Sequence, residues 1–161
     1  FKRRRYEMEK RKGIINPKTC CQVGLVARDI EKTAALYAEV FGVPMPEINS
    51  MPPVEVAQTK FRGIASGTQA RLCGFDMGQL FLEIMEPDEC DSSWKEALGD
   101  KEVVFHHVGF MVDDLEEAVA FFEDRGCPVR HHGKYPGGEY LLPESMEKYG
   151  ILFNLKYEPE G

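Results

Sequence analysis

Residues 22–40 and 107–125 align without a gap at a fixed offset of 85, and five positions are identical: Val23/Val108, Gly24/Gly109, Asp29/Asp114, Glu31/Glu116 and Ala35/Ala120. Ile30/Leu115, Leu36/Phe121 and Tyr37/Phe122 match in kind. A repeated unit of this size constrains the fold more than any single motif, because each copy must bury its apolar face together with the other. Both copies read as a strand running into a capped helix. Asp29 and Asp114 are natural N-caps, and Glu117 stands three residues on in capping-box position. Ile30, Ala34, Tyr37 and Phe41 form the apolar stripe of the first helix, and Leu115, Ala118, Val119 and Phe122 that of the second. Gly42 and Gly126 stop the two helices. These shared features are structural, so the repeat reports a common fold rather than a common chemistry.

The order of elements repeats as well. In the first half, strands are expected at 54–64, 69–76 and 79–85, and Pro87 ends the last because proline cannot continue a ladder. In the second half they are expected at 127–134, 139–142 and 150–157. The chain thus divides into an N-terminal extension (1–18), a βαβββ module (19–87), a linker with a short helix carrying Trp94 and Leu98 (88–102), and a second βαβββ module (103–161). The fold class is α+β.

Charge is unevenly spread. The total is −7, but residues 1–13 carry seven basic side chains against Glu7 and Glu9, leaving the remainder near −12. An acidic body argues against nucleic-acid binding. The basic head reads either as an arm for an anionic partner or as a solvated helix from Tyr6 to Arg11, and its interleaved glutamates favour the helix. No apolar run reaches the ~18 residues of a membrane helix, and no signal-peptide core appears. The cysteines (Cys20, Cys21, Cys73, Cys90, Cys127) are odd in number and lack a Cys-x-x-Cys spacing, which points to free thiols and a reducing, cytoplasmic setting. Phosphate-binding glycine loops, a Ser-His-Asp order and the Gly-x-Gly-x-x-Gly pattern are all absent.

The offset pairs Gln22 with His107. Alternate side chains of a strand share a face, so Gln22, Gly24 and Val26 point one way, as do His107, Gly109 and Met111. The helices should pack on the opposite face, leaving this one free to line a cavity. Glycine at 24 and 109 is expected to leave room there for a ligand. By the same alternation His106 faces the helix or solvent. His131 and His132, beside the Lys134-Tyr135-Pro136-Gly137-Gly138 turn, read as a surface pair. Glu83, between Leu82 and Ile84, is a carboxylate on a strand that should be buried, which is costly unless it is paired or functional. Lys60 and Arg62 share a strand face, with Arg71 on the next strand, and could neutralise an anionic substrate.

The openings Gln-Val-Gly-Leu-Val-Ala-Arg-Asp-Ile-Glu and His-His-Val-Gly-Phe-Met-Val-Asp-Asp-Leu-Glu, with Leu82-Glu83-Ile84-Met85-Glu86-Pro87 and the ending Gly150-Ile-Leu-Phe-Asn-Leu-Lys, resemble the vicinal oxygen chelate superfamily over roughly residues 19–158. The nearest likeness is to its glyoxalase I (lactoylglutathione lyase) and methylmalonyl-CoA epimerase branch. The resemblance implies one curved, mixed sheet around a cavity, with helices on the outer face, and a homodimer. It also implies four metal ligands, carried over to Gln22, Glu83, His107 and Asn154. Glu83 and His107 match the family's pattern. Gln22 stands where a histidine is usual and Asn154 where a glutamate is usual. A divalent metal (Zn, Ni, Co or Mn) would rest mainly on Glu83 and His107, with Gln22 and Asn154 as weak ligands, or be absent. Asn154 does not titrate, so proton transfer would fall to Glu83, or to Glu55 or Glu139 on the middle strands. The expected function is a lyase or isomerase that moves a proton next to a carbonyl or thioester, with catalytic Glu83 and His107 and substrate contacts from Gln22, Asn154, Lys60 and Arg62. The alternative is a metal-free binding protein of the antibiotic-sequestering kind. In either case the partner is a small molecule, not a nucleic acid or a membrane.

Overall fold

The structure, a computed structural model, describes residues 13–159. The basic head and its expected helix lie almost wholly outside them. Strand β1 (Cys20–Ala27) leads into helix α1 (Ile30–Phe41), β2 (Asn49–Ser50), α2 (Val54–Ala57), the hairpin β3 (Lys60–Phe61) and β4 (Ile64–Ala65), then β5 (Ala70–Asp76) and β6 (Phe81–Pro87). The linker carries α3 (Ser93–Leu98). The second half runs β7 (Val103–Met111), α4 (Leu115–Glu123), β8 (Val129–Tyr135), β9 (Gly138–Pro143), α5 (Met146–Tyr149) and β10 (Phe153–Tyr157). The ten strands of the described residues form one mixed sheet in the order β2-β5-β6-β1-β7-β10-β9-β8-β3-β4. The repeated strands β1 and β7 pair antiparallel at its centre, and each pairs parallel with the last strand of its own module.

The caps form as the sequence dictates. Asp29 accepts from the Lys32 amide at 2.9 Å and Asp114 from the Glu117 amide at 2.9 Å. Each helix then packs its apolar face against the outer face of its own module, although Phe41 at the end of the first stripe stays 40 % exposed. Ile30, Ala34 and Ala38 pack with Leu25, Ala27, Leu82 and Ile84, and Ala118 and Phe122 pack with Leu141 and Leu155. Residues one step along the same strands point the other way. Val26 and Met85 join Met51, Ala57, Trp94 and Leu98 in a third cluster, which α3 covers from the inner side. The duplication thus places two helices outside, and the linker helix inside at one end.

Residues 54–64 do not form the strand expected from their alternation. Pro52 and Pro53 favour a helical start, so Val54–Ala57 becomes a short helix, and Gln58 ends it with φ 43°. The chain crosses from β2, at one end of the sheet, to the opposite end. There β3 pairs with β8 (Lys60 opposite His132), and Arg62 and Gly63, with φ 50° and 80°, turn into β4. Tertiary pairing with a free edge and the Pro-Pro start outweigh local β propensity here. Glu55 accordingly sits on α2 rather than on a middle strand. All five cysteines are free thiols. Among the described residues no helix is long and apolar enough to cross a membrane.

Candidate functional site

The inner face of the two central strands gathers the site. Across the β1–β7 pair Gln22 lies opposite Gly109 and Gly24 opposite His107. A Cβ on Gly24 would come within 2.2 Å of the His107 ring, and one on Gly109 within 2.8 Å of Gln22 Cβ. The room left by these glycines is therefore taken by the facing side chains, not kept for a ligand. His107 Nε2 is 3.0 Å from Gln22 Oε1, and Asn154 Nδ2 donates to the same oxygen at 3.3 Å. Glu83, from β6, brings its Oε2 to 3.8 Å from His107 Nε2. Gln22, Glu83, His107 and Asn154 thus converge from four strands, and all line a cavity of about 200 Å³. That volume suits a small reacting group.

His106 does not face outward. The β1–β7 register slips between Gly24 and Leu25, where Leu25 pairs with Phe105 and His106 is the extra residue of a bulge. A bulge breaks the two-residue alternation. His106 is fully buried, with its Nδ1 2.9 Å from His107 Nδ1. The expected surface pair on β8 also divides. His131 is fully buried, 2.8 Å from Ser93 Oγ through Nδ1 and 3.2 Å from the Tyr140 hydroxyl through Nε2. His132 faces the other way and meets Glu139 Oε2 at 2.7 Å.

Lys60 and Arg62, expected as substrate contacts, do not line the cavity. Lys60 is exposed, and Arg62 pairs with Glu96 at 3.0 Å and Glu144 at 3.5 Å. Arg71 ties Glu31 to Glu86, and Glu86 also accepts from the Ile30 amide at 2.8 Å. The cations that do line the cavity are Lys134 and Lys156. Lys156 could have been found in the sequence, since it stands two residues beyond Asn154 on the same strand face. Tyr140, which also lines the cavity, carried no such signal.

The electrostatics follow from burial. Desolvation pushes the Glu83 carboxyl up from its ordinary value, opposed by the positive charge of Lys156 and by a hydrogen bond from Gln22. Burial, then the neighbouring His106 and Lys156, push His107 well below its ordinary value, so it is neutral. A divalent cation needs donors at suitable spacing and of suitable kind. The separations of 3.0 and 3.8 Å from His107 Nε2 match ligands standing ~2.1 Å from one centre. Asn154 Oδ1 is buried without a partner and is a spare donor. One imidazole, one carboxylate and two amide oxygens fit a cation that tolerates oxygen ligands, and His106 Nδ1 is placed to accept a hydrogen bond from His107 Nδ1–H when Nε2 must be free. Elsewhere among the described residues, Asp29, Glu31 and Glu86 bring carboxylates within 4.8 Å of one another. Arg71, the Ile30 amide and the α1 cap engage them.

A family model described as the glyoxalase/bleomycin resistance protein/dioxygenase superfamily matches residues 21–140. No curated protein matches the sequence. Among solved structures, methylmalonyl-CoA epimerase from Mycobacterium tuberculosis is similar with a TM-score of 0.63 at 14% identity, covering 93% of this chain and 93% of that one. A Streptomyces coelicolor methylmalonyl-CoA epimerase variant in complex with 2-nitronate-propionyl-CoA gives 0.58 at 19% identity, covering 89% and 99%. A hypothetical protein from Bacillus halodurans gives 0.60 at 12%, covering 88% and 95%. At these identities the likeness is one of fold.

Proposed function

Because the chain belongs to the glyoxalase/bleomycin resistance protein/dioxygenase superfamily, we propose that its cavity moves a proton on a carbon next to a carbonyl or thioester, with Glu83 as the base. The observation that carries this reading is Glu83 itself. It is the carboxylate among the residues lining the cavity, and burial raises its proton affinity. A carboxylate raised toward neutral pH is a better base at working pH. In the reaction, Glu83 takes the proton of the substrate's α-carbon, and the C–H electron pair moves into the carbonyl to give an enolate. The protonated Glu83 then returns the proton to the neighbouring carbon, or to the same carbon once the enolate has turned its other face, making the protein an isomerase or a lyase of the glyoxalase kind.

Lys156 and Lys134 give the cavity a positive side, which favours a substrate bearing a carboxylate or phosphate near its carbonyl. Gln22, His107 and Asn154 orient the reacting group. A divalent cation held by Glu83 and His107, with the amide oxygens of Gln22 and Asn154, would polarise the carbonyl oxygen. The solved epimerases of the same fold, one of them with a nitronate of propionyl-CoA, support an enolate-forming reaction. A second reading, a metal-free small-molecule binder, is favoured by one observation: Gln22 Oε1 already engages both His107 and Asn154.

The test is proton NMR in D2O with methylmalonyl-CoA and, separately, the hemithioacetal of methylglyoxal and glutathione, each with and without added Mn²⁺ or Zn²⁺. Protein-dependent deuterium incorporation at the α-carbon is expected in one of them. Tight ligand binding with no incorporation in either would favour the binding protein.

A further inference from the structure

We propose that the Tyr140 hydroxyl donates a hydrogen bond to the oxygen of the enolate formed in the cavity, and that His131 and Ser93 hold it in the donating orientation. The proposal rests on the proton-transfer reading above and adds to it the group that receives the negative charge.

The position of the phenol is built into the sheet. Tyr140 lies opposite Gly133 across the β8–β9 pair, and a Cβ on Gly133 would stand 2.5 Å from the Tyr140 hydroxyl oxygen. Glycine there lets the ring lie across β8 toward His131, whose ring centroid is 5.6 Å away. Tyr140 and Glu83 line the same cavity.

The direction of each hydrogen bond follows from counting hydrogens. Ser93 is fully buried, and among the described residues its hydroxyl has a single side-chain partner, His131 Nδ1 at 2.8 Å. A buried hydroxyl hydrogen with no acceptor is costly, so Ser93 donates and Nδ1 accepts. Burial and the nearby charges of His106, His132 and Arg130 push His131 down to about 3, which leaves it neutral. A neutral imidazole has one N–H. With Nδ1 accepting, the hydrogen is on Nε2, which therefore donates to the Tyr140 oxygen at 3.2 Å. Tyr140 has then accepted the bond that fixes it, and its own hydrogen is left for the cavity.

A phenol in this state suits an enolate. Burial and the charge of Glu83 raise its proton affinity, so it stays protonated while donating. When Glu83 removes the α-proton, the electron pair of the C–H bond goes to the carbonyl oxygen, and the Tyr140 O–H faces that charge as it forms. The phenol neither gains nor loses a proton, and collapse of the enolate onto the proton held by Glu83 restores both groups. A preorganised donor of this kind acts on the transition state more than on the ground state.

The experiment uses propionate 3-nitronate, a planar anion that mimics an enolate, titrated by calorimetry into the full chain and its Y140F and S93A variants. Tyrosine labelled with 13C at Cζ reports Tyr140 directly. The expected result is binding by the parent chain, a loss of about tenfold in Y140F and about threefold in S93A, where His131 is free to take the other tautomer. The Tyr140 signal should move on titration. Equal affinity in parent and Y140F, no binding by the parent, or an unmoved Tyr140 signal would overturn the proposal. Should Y140F fail to fold, S93A and the labelled parent decide. Nitronate binding that depends on Tyr140 without α-deuterium exchange of any substrate would sink the proton-transfer reading alone. Exchange with Tyr140-independent nitronate binding would sink the Tyr140 assignment alone.

Discussion

Gln22 and His107, 85 residues apart, meet at 3.0 Å, and each occupies the space over the glycine that faces it on the other's strand. The two duplicated strands are thus locked in one register by reciprocal glycines. Substituting Gly24→Ala forces the Cβ into the His107 ring, and overpacking of this kind costs about 1–3 kcal/mol. Urea denaturation should record that loss. Gly42→Ala, where nothing lies within 4 Å of the new Cβ, should be limited to its left-handed backbone penalty.

Glu83 works against stability at neutral pH. Its folded-state proton affinity is raised above the ordinary 4.5, so its favourable contribution is present below that pH and is lost as pH rises through the raised value. Glu83→Gln should therefore melt at a higher temperature than the parent at pH 7. The gain should shrink toward zero below pH 4.5. Differential scanning calorimetry at the two pH values checks both statements.

The same group sets the pH dependence of activity. As a base, Glu83 must be ionised, so the rate should rise with pH through its raised value. The positive charge of Lys156 holds that value down, and Lys156→Met should shift the rising limb of the pH–rate profile to higher pH.

His131 gives the opposite stability trend. Its folded value falls from 6.5 to about 3, so the unfolded state binds the extra proton first. Its contribution is complete above pH 6.5 and declines as pH falls from there toward 3, at about 1.4 kcal/mol per pH unit. His131→Gln should be less stable at pH 7 yet show a shallower decline on acidification, measured as unfolding free energy against pH.

On the outer face Arg71 joins Glu31 to Glu86, and Glu86 also accepts from the Ile30 amide that opens α1. Glu86→Ala should cost about 1–2 kcal/mol, because it removes both an ion pair and a helix-start hydrogen bond. Glu31→Ala, on a more exposed pair, should cost less than Glu86→Ala.

The sequence was most legible where one physical rule acts alone. The repeat, the Asp29 and Asp114 caps and the two-residue alternation led to the two βαβββ modules and to Gln22 and His107 on one face, while the curved sheet and the meeting of these two with Glu83 and Asn154 were what the family resemblance implied. It was misleading where a second effect intervened. The bulge at His106 broke the alternation and turned a second histidine inward. The Pro52-Pro53 start and the free edge of β8 remade residues 54–64. That diversion carried Lys60 and Arg62 away from the cavity and left its charge to Lys134 and Lys156. Tyr140 and Ser93 were invisible because their roles depend on His131, which lies beneath α3 only once the linker has folded back.

In the proposed reaction Glu83 moves the proton. Its most direct test is α-deuterium incorporation in D2O, followed by NMR, in the parent chain and in Glu83→Gln with folding verified for both. Incorporation by the parent should rise with pH and fall at least about a hundredfold in Glu83→Gln. Undiminished incorporation in Glu83→Gln would contradict that role.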